Sequence, residues 1–82
     1  AGMDLRIYPN PSTGRVFLEF TDGQAVGASF EVYNHLGAKC AVSTDRASDQ
    51  LVELDLSSFS KGLYVINVIL GDHLESRSVI IE

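Results

Sequence analysis

Tryptophan is absent from this chain, cysteine and methionine occur once each, proline twice, and six lysines and arginines stand against eleven aspartates and glutamates. Each shortage removes a class of function. A lone thiol, Cys40, closes no internal disulfide, so cysteine usage assigns no redox compartment. A formal net charge of −5 with the few cations dispersed leaves no basic patch, which argues against nucleic acid or an anionic membrane surface as a partner. No transmembrane helix is expected, because the longest apolar run, Leu63 to Leu70, is interrupted by Asn67 and falls far short of the roughly 20 residues needed to span a bilayer. The amino end, Ala1-Gly2-Met3-Asp4, has neither a charged nor an apolar leader region, so no secretory signal is expected in this stretch, and residues 1–3 fit an appended remnant.

Catalytic and metal-binding patterns are missing too. Serines are plentiful, but no Gly-x-Ser-x-Gly elbow occurs, and His35 and His73 sit on or beside turn sequences away from an evident nucleophile and orienting acid. His35 and Cys40 flank one expected hairpin, yet two ligands fall short of the three or four that zinc takes. Cys40 reads better as a small apolar side chain. Asp22, Asp45, Asp49, Glu53 and Asp55 are scattered without the alternating spacing of a calcium loop and read as solvated surface. Pro11 spoils the glycosylation sequon that Asn10 and Ser12 would otherwise form. Neither an enzyme nor a cofactor is expected.

What is present is strand signal at short intervals. Leu5 to Tyr8 is β-prone and must end at Pro9-Asn10-Pro11, since proline removes a ladder donor, which places the segment at an edge. After the turn residues Ser12-Thr13-Gly14, Arg15 to Phe20 alternates, with Val16, Leu18 and Phe20 toward the core. Thr21 to Gln24 reads as a loop. Ala28 to Asn34 alternates again, and the turn Asn34-His35-Leu36-Gly37 feeds a returning strand, Ala38 to Thr44. Asp45 to Asp49 reads as a polar bend. Gln50 to Leu56 points Val52, Leu54 and Leu56 inward, and Ser57-Ser58-Phe59-Ser60 makes a crossing loop.

Gly62 to Leu70 is apolar in both alternating rows, which predicts a central strand buried on both faces. Gly71-Asp72 is a two-residue hairpin signal, and His73 to Ile81 returns beside it. About seven short strands with turns between them predict one all-β domain over residues 1–82, an immunoglobulin-like antiparallel β-sandwich. At this length folding buries roughly 60 to 65% of the unfolded chain's surface, so the core is thin and no large pocket is expected. Tyr8, Tyr33 and Tyr64 admit a sugar-stacking reading, but aromatics that alternate in strands more often serve the sheet itself. A carbohydrate-binding or adhesive module and a passive spacer domain of a secreted enzyme therefore stand as alternative functions.

Three blocks carry a family likeness. Ile7-Tyr8-Pro9-Asn10-Pro11-Ser12-Thr13-Gly14, then Glu31-Val32-Tyr33-Asn34-His35-Leu36-Gly37-Ala38-Lys39, then Leu54-Asp55-Leu56-Ser57-Ser58-Phe59-Ser60-Lys61-Gly62-Leu63-Tyr64 resemble, in order over nearly the whole chain, the C-terminal sorting domain of the type IX secretion system of Bacteroidota. The resemblance implies a secretion signal on a larger, amino-terminal cargo that passes through the periplasm, is recognised by an outer-membrane translocon, and is cleaved by a sortase-like cysteine peptidase for attachment to the cell surface or release. It points to Tyr8, Pro9, Asn10, Pro11, Gly14 and Gly37 as motif turn residues, and to Lys61, Gly62, Tyr64, Arg77, Val79, Ile80, Ile81 and Glu82 as candidates for translocon recognition. On physical grounds His73 to Glu82 is expected to be an edge strand whose free backbone groups pair with a partner, with Lys61 and Arg77 as exposed probes; the same edge would permit a homodimer. Family members often end in lysines, whereas this chain ends Val79-Ile80-Ile81-Glu82.

Overall fold

Alternating side chains sort this chain into two layers. The computed structural model describes residues 5–21 and 27–82, so the readings of residues 1–3 as a remnant, of Asp22 as surface and of Asp22 to Gln24 as loop fall outside it. The strands are β1 (Leu5–Tyr8), β2 (Arg15–Phe20), β3 (Ser29–Asn34), β4 (Lys39–Cys40), β5 (Ser43–Arg46), β6 (Leu51–Asp55), β7 (Gly62–Leu70) and β8 (His73–Ile81). One sheet has the order β1-β2-β6-β5 and the other β4-β3-β7-β8, and every strand pairing within them is antiparallel.

The inner rows of the two sheets form one core. Val16, Leu18, Phe20, Val52, Leu54 and Leu56 from the first sheet meet Val32, Ile66, Val68 and Val79 from the second, all of them fully buried. Burying one such side chain contributes roughly 1.5–3 kcal/mol, so these rows are the main stabilising force of the fold. Tyr64 joins them with its hydroxyl donating to the Ser60 carbonyl at 2.6 Å, and its ring lies against Phe59 with centroids 5.3 Å apart. Cys40, half-buried, packs against the same core.

Two expectations need correction. β7 is central in the sense that β3 and β8 flank it, but only Tyr64, Ile66 and Val68 are buried, while Leu63 is 46% exposed and Val65, Asn67 and Ile69 are half-buried. The sandwich has only two layers, so the outer row of a middle strand meets solvent whatever its composition. The expected strand Ala38 to Thr44 is two strands: β4 pairs with β3, Ala41 and Val42 cross over, and β5 pairs with β6 in the other sheet. Among the described residues that crossing makes eight strands where about seven were expected, and β5 extends to Arg46 into the expected bend.

Each open side of the sandwich is closed by the chain passing between sheets. On one side the crossover at Ala41 and Val42 links the edges β4 and β5. On the other, Pro9 to Ser12 runs from the end of β1 to the outside of β8, where Ser12 forms a parallel bridge with Ile81. Among the described residues no helix is long and apolar enough to cross a membrane.

Candidate functional site

Ser12 is the pivot of the second closure. It is 2% exposed, which would be costly for a polar side chain without partners. Its N–H donates to the Ile80 carbonyl and its carbonyl accepts from the Glu82 N–H, both at 2.8 Å. Its hydroxyl donates to the Arg15 carbonyl at 2.7 Å and accepts from the Gly14 N–H at 3.1 Å. One step earlier Asn10 uses its side-chain amide as a substitute for a strand: Nδ2 donates to the Ser78 carbonyl at 3.2 Å, and Oδ1 accepts from the Ile80 N–H at 3.0 Å. Asn10 and Ser12 thus clasp the carboxyl half of β8.

The clasp is anchored from behind by the loop after β6. Gly14 accepts from the Leu56 N–H at 2.7 Å, and a Cβ on Gly14 would lie 2.9 Å from the Ser57 Cα, so only glycine fits this approach. Asp55 fixes that loop by accepting from the Ser57 hydroxyl at 2.5 Å and from the Ser57 N–H at 3.0 Å. These hydrogen bonds, led by the hydroxyl and assisted by the Arg15 charge, hold the Asp55 carboxyl below the usual carboxylate range against a small opposing effect of burial.

The three motif blocks end at one pole of the sandwich. The registers Asn34↔Tyr64, Tyr64↔Val79 and Gly62↔Ile81 bring together the start of β7, the end of β8 and the β3–β4 hairpin, and the clasp adds residues 10–14. In that hairpin the Gly37 N–H donates to the Asn34 carbonyl at 2.9 Å, while Asn34 Oδ1 accepts from Leu36 and Ala38. Lys61, Pro11 and Glu82 are exposed here, Gly62 is half-buried, and Tyr64, Val79 and Ile81 point into the core. Ile80 projects from the outer face at 46% exposure, opposite Leu63.

Other expected site residues fall elsewhere. Arg77 pairs with Ile66 in mid-strand on the inner row and is half-buried, its guanidinium 2.5 Å from Glu75, so it is not the exposed probe that was expected. Tyr8 stacks on Phe17 with centroids 5.8 Å apart, on the outer face of the first sheet, and Pro9 beside it is exposed. Tyr8, Tyr33 and Tyr64 lie on three different faces, so they make no common platform for a sugar. A shallow polar depression lined by Arg15, Thr44, Asp45, Glu53 and Asp55 lies on the other sheet and is crossed by the Arg15–Glu53 ion pair at 2.8 Å. Among the described residues no three His, Cys, Asp or Glu side chains are placed to hold a metal.

Sequence reasoning missed Ser12 and the side-chain role of Asn10. The available signal was an asparagine held between two prolines, which leave few donors nearby and favour use of its amide. Comparison with curated proteins gives no match. The family model of the secretion system C-terminal sorting domain matches residues 6–82, and the chain belongs to that family, a sorting signal that engages type IX secretion machinery for a secreted or cell-surface cargo.

Proposed function

We propose that the pole formed by Lys61, Gly62, Ile80 and Glu82 with the Asn10–Ser12 clasp is the surface that the outer-membrane translocon reads. The supporting observation is the hydrogen-bonded closure of the first motif on the last strand, which joins segments 68 and 70 residues apart in the chain into one rigid patch. Tyr64, Val79 and Ile81 hold that patch from inside, and Ile80 and Lys61 face outward. Leu5 pairs with Phe20 at the opposite end of β1 from the clasp, so an amino-terminal cargo would leave from the far end and keep the pole clear. The cargo crosses the periplasm with this domain folded, and a sortase-like cysteine peptidase cuts ahead of β1 for surface attachment or release.

A reporter fused ahead of the chain, in a host with type IX machinery, tests both levels. Ile80→Ser and Lys61→Ala alter exposed side chains and should keep the folded chain's thermal midpoint while lowering reporter export. Normal export of both variants would sink recognition at the pole. Normal export of the reporter without the chain would sink the sorting reading itself.

A further inference from the structure

The edge of β8 was expected to lie open to other chains, and hydrogen bonds within the chain close most of its carboxyl half instead. Strand residues alternate in the direction of their backbone groups, so Ser76, Ser78, Ile80 and Glu82 turn theirs away from β7. The Ser76 carbonyl accepts from Arg77 at 3.2 Å, and the Ser78 carbonyl accepts from Asn10. The Ile80 N–H donates to Asn10, the Ile80 carbonyl accepts from Ser12, and the Glu82 N–H donates to Ser12. Between the Ser76 carbonyl and the Glu82 N–H this leaves the Ser78 N–H as the remaining outward donor.

We infer that the Asn10–Ser12 clasp is a guard that keeps β8 from pairing with strands of other chains. Its placement follows the hazard. The stretch it covers, Val79-Ile80-Ile81, unites three β-branched residues without a charge, the composition that adds most readily to another strand. The stretch it leaves uncovered has a different protection, because Glu75 and Arg77 lie on its inner row and a strand added there would have to accommodate their ion pair. The covering segment also offers no fresh edge in its turn: Pro9 and Pro11 have no N–H, and Ser12 commits both of its backbone groups to β8. An ordinary strand in this position would bond β8 equally well but would itself become the open edge. The segment therefore ends the sheet rather than extending it. This inference does not depend on the sorting reading, since it concerns the isolated chain.

Sedimentation from micromolar to millimolar concentration tests it. Asn10→Ala frees the Ser78 carbonyl and the Ile80 N–H and should lower the concentration at which copies associate about 5- to 30-fold, the factor that corresponds to two exposed hydrogen bonds. Adding Ser78→Pro to Asn10→Ala removes a donor that faces away from β7, so the ladder to β7 is kept, the freed edge is blocked, and association should return to the wild-type level. Ser78→Lys in the same background sets a charge on the edge and should do the same with the thermal midpoint unchanged. Ile66→Val weakens the core without touching the clasp and, compared at an equal folded fraction, should associate no more than wild type. An Asn10→Ala chain that associates no more than wild type, association that survives both Ser78 replacements in a folded chain, or equal association of Ile66→Val and Asn10→Ala overturns the proposal.

Discussion

Replacing Asn10 by alanine isolates the clasp, because the side chain is exposed and makes two hydrogen bonds with β8. A typical intramolecular hydrogen bond contributes about 0.5–1.5 kcal/mol net, and exposure of both bonds places Asn10→Ala at a total loss of about 1–2 kcal/mol. For a chain of this size the melting temperature should fall by about 5–10 °C. Amide exchange gives the sharper readout. The Ile80 N–H loses its only acceptor on the open side and should exchange about 5- to 30-fold faster, whereas the Val79 amide faces β7 and should keep its protection relative to Ile80. An Ile80 amide that exchanges no faster in the variant than in the wild type refutes the clasp.

Two further expectations follow from the same region. Gly14 and Gly62 have φ values of +144° and +148°, but a Cβ meets the Ser57 backbone only at Gly14. Gly62→Ala should cost the backbone strain of about 1–3 kcal/mol and Gly14→Ala about 3 kcal/mol or more, so equal urea midpoints for the two variants would contradict the close approach. Asp55, whose carboxyl is held below the usual range, contributes stability that is present above its unfolded pKa and lost as pH falls through its lowered folded value. Urea titrations of wild type and Asp55→Asn should therefore diverge at neutral pH and converge in acid below the ordinary carboxylate range; a difference constant with pH would refute the Ser57 hydrogen bonds as its source.

The strands were legible because their evidence is local. β7, its two-residue turn and β8 run over the expected residues, and the inward rows of β2 and β6 follow directly from alternation. What alternation cannot show is what lies opposite a face. Leu63, Val65 and Ile69 carry the same apolar signal as the row beneath them, yet no second layer covers them. The division of Ala38 to Thr44 depends on which sheet each half joins, a matter of distant packing. The site was legible as three blocks but not as one surface, since Asn10 reaches Ser78 and Ile80 across nearly the whole chain. Pro9-Asn10-Pro11 shows locally only that a strand must stop.

The clasp also changes how a terminal edge strand can act as a signal. An edge was expected to offer the backbone of Val79, Ile80 and Ile81 for pairing. Instead the outward groups of Ile80 and the N–H of Glu82 are bonded within the chain. A partner that paired with this part of the backbone would first have to break the hydrogen bonds of Asn10 and Ser12, at a cost of about 2–6 kcal/mol before any new bond forms. That is a large fraction of the 5–15 kcal/mol by which folded chains of this kind are stable. Reading the clasped form avoids the cost, and the groups it displays are side chains: Ile80 and Leu63 on the outer face, Lys61 and Glu82 at the pole. On the proposed reading, recognition at the pole is thus separable from the hydrogen bonding of β8, and exposed side-chain variants would report it without unfolding the strand.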